Sequence, residues 1–234
     1  MKTYCKKTLA ATVLLILSFV VSNAQTDDIP RTSSYFDVAL GVGDGIYSGA
    51  LSWNRTHGII RSNKLRLGYG VRFSSFGGSD LCYTTAPADL TAQEETIDTL
   101  HVASSAILNL NALINIQYQF SPRLLAGFDI DAFGFGFGPS KNTTFVTTPD
   151  PGTFNNNQTA QPTPFNLLLG FDNDIGQIKS EFYIKYQISD TWGIRGGMDM
   201  SFYEYTTEDK LANNNDRFRY KAMMPFAGVS FNPF

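Results

Sequence analysis

The chain has 234 residues, of which 43% are hydrophobic, 14% aromatic and 17% charged, with 20 glycines and a formal net charge of −3. A charged fraction well below the roughly 25% of ordinary soluble domains, with no basic excess, excludes a disordered or nucleic-acid-binding chain. A mean hydropathy of −0.12 in so aromatic a sequence means that apolar residues are interleaved with polar ones, the composition of β-strands with two unlike faces.

At the N-terminus, Lys2, Lys6 and Lys7 precede an apolar run from Leu9 to Val21, and Ser22-Asn23-Ala24 supplies small residues where a signal peptidase reads. Thirteen residues of helix span only about 20 Å, short of a hydrocarbon core of about 30 Å. Residues 1–24 therefore read as a secretory signal peptide, and 25–34 as a periplasmic segment ahead of the first strand. Removal of the peptide takes three of the 18 basic residues and no acid, leaving 15 against 21, a net charge of −6. Cys82 is then the one cysteine left, so no intrachain disulfide forms. No later stretch reaches eighteen consecutive apolar residues, so any membrane crossing is made by strands.

Eight strands follow in order: Tyr35–Gly43, Ile46–Asn54, Lys64–Phe76, Val102–Phe120, Leu124–Gly138, Phe165–Ile188 (irregular in its first part), Trp192–Tyr205 and Phe218–Phe231. The third alternates Leu65, Leu67, Tyr69, Val71 and Phe73 against Lys64, Arg66, Gly68, Gly70 and Arg72. In the fourth, Leu108 to Phe120 sets Leu, Ala, Ile, Tyr and Phe against Asn109, Asn111, Asn115, Gln117 and Gln119, with Leu113 the only break. In the fifth, Asp129 and Asp131 share parity with Phe133, Phe135 and Phe137. Either a bulge near Ala132 shifts the register or the rings point into a barrel mouth. In the last, Phe218 and Tyr220 oppose Val229 and Phe231 in parity, which predicts a slip near Pro225.

Ser121-Pro122-Arg123 and Ser189-Asp190-Thr191 are tight turns, whereas 77–101, 139–164 and 206–217 read as long polar loops. Short turns at one end and long loops at the other belong to outer-membrane barrels. A soluble lipocalin-like barrel competes, because alternation does not say which face is inside. The glycine-rich polar parity and the large aromatic one favour polar-in. On that reading Asp37, Arg66, Arg72, Asp129, Asp131, Glu181, Lys185, Arg195, Asp199, Arg219 and Lys221 form an interior charge network. Trp53, Phe73, Tyr118, Tyr186, Trp192 and Phe202 then face lipid.

With its signal peptide, alternating strands, loop asymmetry and aromatic C-terminus, the chain from Tyr35 to Phe234 resembles the small outer-membrane β-barrel proteins of Gram-negative bacteria, the porin-like, eight-stranded family. The resemblance implies an all-β, eight-stranded antiparallel up-and-down transmembrane β-barrel in the cell outer membrane. It also implies that Val229, Phe231 and Phe234 form the C-terminal signal read by the barrel-insertion machinery. Asn232-Pro233 departs from the usual pattern and leaves two phenylalanines for the terminal part.

Chemistry-bearing motifs are few. His57 falls in a turn, and His101 lies near Ser104, Ser105, Glu94 and Glu95, too loosely grouped for a catalytic set. Asp172-Asn173-Asp174 with Gly176 opens like a calcium loop but has Tyr183 at the twelfth position, where a glutamate is needed. No enzyme activity, metal or cofactor is therefore expected. The expected partners are outer-membrane lipid, the insertion machinery and an extracellular ligand met by the loops, with no nucleic acid. An eight-stranded lumen is just wide enough to be filled by its own side chains. A plugged barrel with a structural or surface-interaction role is expected ahead of a narrow passive porin, and an interfacial lipid-modifying enzyme comes last.

Overall fold

The structure is a computed structural model that describes residues 29–146 and 156–233. The expected signal peptide, the loop tip 147–155 and Phe234 lie outside the described residues. The strands are β1 (Thr32–Gly43), β2 (Ile46–Gly58), β3 (Leu65–Thr85), β4 (Thr99–Ser121), β5 (Leu124–Phe137), β6 (Lys141–Val146), β7 (Asn157–Pro162), β8 (Phe165–Leu167), β9 (Ile178–Gln187), β10 (Trp192–Thr207) and β11 (Arg217–Phe231). All their pairings are antiparallel.

Eight of these strands close a ring in the order β1, β2, β3, β4, β5, β9, β10, β11, and β11 returns to β1 with Val38 opposite Val229. Alternation sets the two faces. Leu67, Tyr69, Val71 and Phe73 of β3 are exposed on the outside, while Arg66, Gly68, Gly70 and Arg72 point in. On β4, Leu110, Ile114, Ile116, Tyr118 and Phe120 are exposed, and Asn111, Asn115, Gln117 and Gln119 are buried. The lumen is thus polar and the exterior apolar, the inverse of a soluble barrel.

Both described ends of the chain lie at one mouth of the ring, here called the base. Asn63 Nδ2 donates to Ile29 O at 2.9 Å and Arg66 Nη1 to Pro30 O at 2.6 Å, tying the N-terminal residues to the turn after β2.

At the opposite end the ring narrows. The β1–β2 hairpin stops at a tight turn where Gly45 has a φ of +67°, a conformation that suits glycine. With that hairpin gone, β11 pairs directly with β3, Phe218 opposite Thr85. β5 has ended and β9 has not begun, so β6 joins β4 and β7 joins β10. Strands β3, β4, β6, β7, β10 and β11 thereby close a second, six-stranded ring, the collar. Barrel diameter falls with strand number, so the collar is the narrower of the two.

The collar occupies much of what the sequence assigns to loops. β3 runs on to Thr85 and β4 begins at Thr99, so the expected loop 77–101 shrinks to a connection carrying a short helix, Ala88–Thr91, and a single 3₁₀ turn, Glu94–Thr96. Within 139–164 lie β6 and β7. These strands are hidden from a simple parity reading because β3 and β4 swap faces together. Inward residues are even-numbered in β3 up to Gly78 and odd-numbered from Leu81 to Thr85, and the switch falls at Asp80, whose φ is +55°. The pairing stays in step across the switch, with Ser79 opposite Ser104 and Leu81 opposite Val102.

The two sequence irregularities resolve differently. Ala112 faces Phe133 but Leu113 faces Asp131, so Ala132 is the extra residue of a β-bulge. The aspartates therefore point in, while Phe133, Phe135 and Phe137 point out. Near Pro225 there is no slip: β11 pairs continuously with β10, Met198 opposite Pro225. Phe218, Ala222 and Met224 face inward instead, because the collar interior is apolar and accepts them, and Phe226 faces inward lower down, packed with Ala39, Leu125 and Tyr183 beneath the Arg195 guanidinium.

Candidate functional site

The lumen holds two layers of different chemistry. At mid-height, β3 contributes Arg72, β5 Asp129 and Asp131, β9 Lys179 and Glu181, β10 Arg195 and Asp199, and β1 Asp37, all buried. Inward parity and small neighbours put them there, since Gly70, Gly127 and Gly197 leave room for long side chains on adjacent strands. Arg72 reaches Asp131 at 3.0 Å with Nη1, and Glu181 at 3.1 Å and Asp129 at 3.5 Å with Nη2. Arg195 bridges Glu181 at 2.6 Å and Asp37 at 2.5 Å. Lys179 pairs with Asp199, and Lys185 lies 3.6 Å from Asp37.

Neutral groups complete the layer. Asn111 donates to Asp131 at 2.7 Å, Tyr183 to Asp129 at 3.2 Å and Ser48 to Asp199 at 3.1 Å. The Arg195 guanidinium stacks over the Tyr183 ring at 3.9 Å. Each charge buried alone would cost several kcal/mol, and here each has an opposite charge within reach. These contacts join side chains of β1, β3, β5, β9 and β10 into one charged layer in the lumen, here called the plug.

Above it, the collar is filled by apolar side chains. Phe76 and Tyr203 stack with centroids 3.7 Å apart, Tyr83 meets Tyr205 edge-on at 5.3 Å, and Leu100, Val102, Phe145, Phe218 and Met224 close the rest. Burial of each such side chain is worth about 1.5–3 kcal/mol. Alternation alone does not announce this layer, because these residues come from five strands, and Tyr83, Leu100 and Phe145 fall in expected loops.

Below the plug the base opens into a vestibule of about 510 Å³, lined among others by Tyr35, Arg66, Gln117, Arg123, Lys185 and Gln187.

Of the residues expected in the interior network, Asp37, Arg72, Asp129, Asp131, Glu181, Lys185, Arg195 and Asp199 are brought together, and Arg66 lies apart at the vestibule. Arg219 and Lys221 are a correction: they lie on the outside of the wall. They have the opposite parity to inward Phe218 and Met224, so β11 turns them outward. There Arg219 and Arg217 clamp the buried carboxylate of Glu204 at 2.6 and 2.9 Å, beneath the segment between β8 and β9. Exposed Lys221 pairs with Asp172 at 3.1 Å. Lys179 is the interior residue that the reading missed, although its two-residue spacing from Glu181 signals it.

The remaining motifs take local roles. His101 lies 3.7 Å from Asp80 on the collar's outer surface, whereas Ser105 is buried against the Tyr83 hydroxyl at 2.7 Å. Asp174 accepts the main-chain N–H groups of Leu169 and Gly170, which is turn chemistry. Val229 is exposed beside the base, and Phe231 packs on Trp192 with centroids 4.9 Å apart.

No protein-family model matches the chain, and no curated protein is significantly similar to it. Among solved structures, the chain is similar to Neisserial surface protein A, at 8% identity and a TM-score of 0.39 over 87% of this chain and 97% of that one. It is also similar to a major outer membrane protein from Thermus thermophilus, at 12% identity and a TM-score of 0.37 over 85% and 98%. The Ralstonia pickettii toluene transporter TbuX matches at 8% identity with a TM-score of 0.23, over 86% and 88%. At these levels the fold rests on the chain's own strand pairings.

Proposed function

We propose that the protein is an integral outer-membrane β-barrel whose bore is closed, and that it serves a structural or surface-binding role through its collar and loops. The apolar exterior supports the membrane assignment. On β4 the outward ladder from Leu110 to Phe120 rises about 26 Å at the usual strand tilt, close to the roughly 25 Å apolar band of such barrels. Trp192, Phe231, Trp53 and Tyr69 supply an aromatic girdle at the base, which is then the periplasmic end. The collar faces the outside.

The single observation that carries the closed bore is the stacking of two filled layers, the Arg72–Glu181–Arg195 plug and the apolar collar core. An ion would have to break both in turn. Planar-bilayer recording on the purified protein tests the reading: the expected trace is flat, and steady channels of nanosiemens size would replace it with the passive-porin reading. A gel on which the unboiled membrane-fraction protein runs differently from the boiled one checks the barrel itself.

A further inference from the structure

The vestibule at the base carries more basic than acidic side chains, the reverse of the plug above it. Among the described residues that line it, the basic side chains are Arg66, Arg123 and Lys185, and the acidic one is Asp190 at the rim. Arg66 is 2% exposed, yet among the described residues its hydrogen bonds go to neutral oxygens: Thr56 Oγ1 at 3.1 Å, Pro30 O at 2.6 Å and Thr56 O at 3.4 Å. Lys185, also 2% exposed, sits over the Tyr35 ring at 3.6 Å and shares its carboxylate partner, Asp37, with Arg195 and Ser230. A buried guanidinium held by neutral groups alone is costly, and a polar cavity beside it is where an anion would repay that cost.

The neutral lining adds a second requirement. Gln117 donates to the Tyr35 hydroxyl at 2.5 Å, and that pair stands in the cavity wall. Gln187 lines the cavity, and its Oε1, buried over Gly193, has no hydrogen-bond donor among the described residues, so it is open to an O–H or N–H of a bound molecule that reaches it. The volume lies within the 300–1,000 Å³ usual for small-molecule sites.

We infer that the vestibule is a binding site for a small hydroxylated oxyanion, a carboxylate or phosphate entering from the base, with Arg66 and Lys185 holding the anionic group and Gln187 accepting from a hydroxyl. The site lies below the plug, so it does not require a conducting bore.

Isothermal titration of the folded full-length mature protein in low-chloride buffer tests this, with gluconate and glycerol 3-phosphate as probes and sorbitol and glycerol as their uncharged counterparts. The expected result is one saturable site per chain for at least one anion, none for the neutral compounds, and affinity roughly tenfold lower in Arg66→Gln and in Lys185→Gln. The preferred probe tells carboxylate from phosphate. Arg123→Gln at the exposed rim does not threaten folding and should weaken binding more modestly. Absence of saturable heat with both anions, equal binding of sorbitol, or unchanged affinity in all three variants would overturn the site. Bilayer recording of the same preparation reads the closed bore separately.

Discussion

The side-chain amide of Gln177 pairs with the main chain of Glu204 at both ends: Glu204 N–H donates to Oε1 at 2.8 Å, and Nε2 donates to Glu204 O at 2.9 Å. It acts as one peptide unit of a strand, at the level of β10 where β9 has not yet begun and β7 has ended. Together with the Thr163 N–H, which donates to Glu204 O at 3.0 Å, it carries the hydrogen bonding of β10 across the gap between the eight-stranded ring and the six-stranded collar. Gln177→Leu leaves the buried Glu204 N–H without its acceptor, while Glu204 O keeps the Thr163 N–H, at a cost of about 1–3 kcal/mol. Urea unfolding from lipid vesicles should show the lowered midpoint. A midpoint equal to that of the parent would mean that the two strand sets hold together without the bridge.

Removing one partner from the plug should be far worse than removing a pair. Arg72→Met takes from Asp131 its salt-bridge partner and leaves Glu181 to Arg195 and Lys179, and breaking a buried pair in this way costs about 3–5 kcal/mol. Replacing Lys179 by Met together with Asp199 by Leu removes both charges of one pair, and such exchanges are often near neutral. The same unfolding assay compares them, and equal losses in the two would contradict the ion-pair account.

Gly197 faces the lumen where β9 and β10 lie against each other. A Cβ there would come within 1.9 Å of Phe182 O, a backbone atom that has little freedom to move. Gly197→Ala is expected to destabilise the ring by about 1–3 kcal/mol. Wild-type stability in that variant would show that β9 and β10 can separate without cost.

Cys82 is an exposed free thiol on the collar. A membrane-impermeant maleimide should label it on intact cells, and Cys82→Ser should abolish that labelling. Labelling that needs permeabilised cells would reverse the orientation proposed for the barrel.

For insertion, Phe231 is the aromatic that completes β11, packs on Trp192 and lies opposite Phe36. Phe231→Ser is expected to lower the amount of folded, heat-modifiable barrel in the membrane fraction more than deletion of Phe234. The reverse order would assign the insertion signal to the last residue.

Strand period, the two faces and a break in parity near Ala132 are legible along the chain, because side chains two apart share a face; that the break is a bulge is shown by the pairing of Leu113 with Asp131. Leu113, the one apolar residue in the Asn/Gln ladder, does lie inside at 2% exposure, as its parity requires. What parity does not carry is the identity of the surroundings on each face. Phe218 and Tyr220 suggest a slip near Pro225 only if the interior is polar along its whole height. The structure keeps the register and changes the interior instead.

The sequence by itself determined that the chain is built of alternating strands with one polar and one apolar face, since that pattern is local and has a period of two. Only the tertiary structure decided that the ring narrows from eight strands to six, which face Arg219 and Lys221 occupy, and that Arg66 is buried against neutral oxygens, apart from the plug. Those outcomes depend on which strands remain as neighbours once β1, β2, β5 and β9 have ended. Pairing between residues as far apart as Thr85 and Phe218 is a non-local choice, settled by where each strand stops and what the enclosed space must bury.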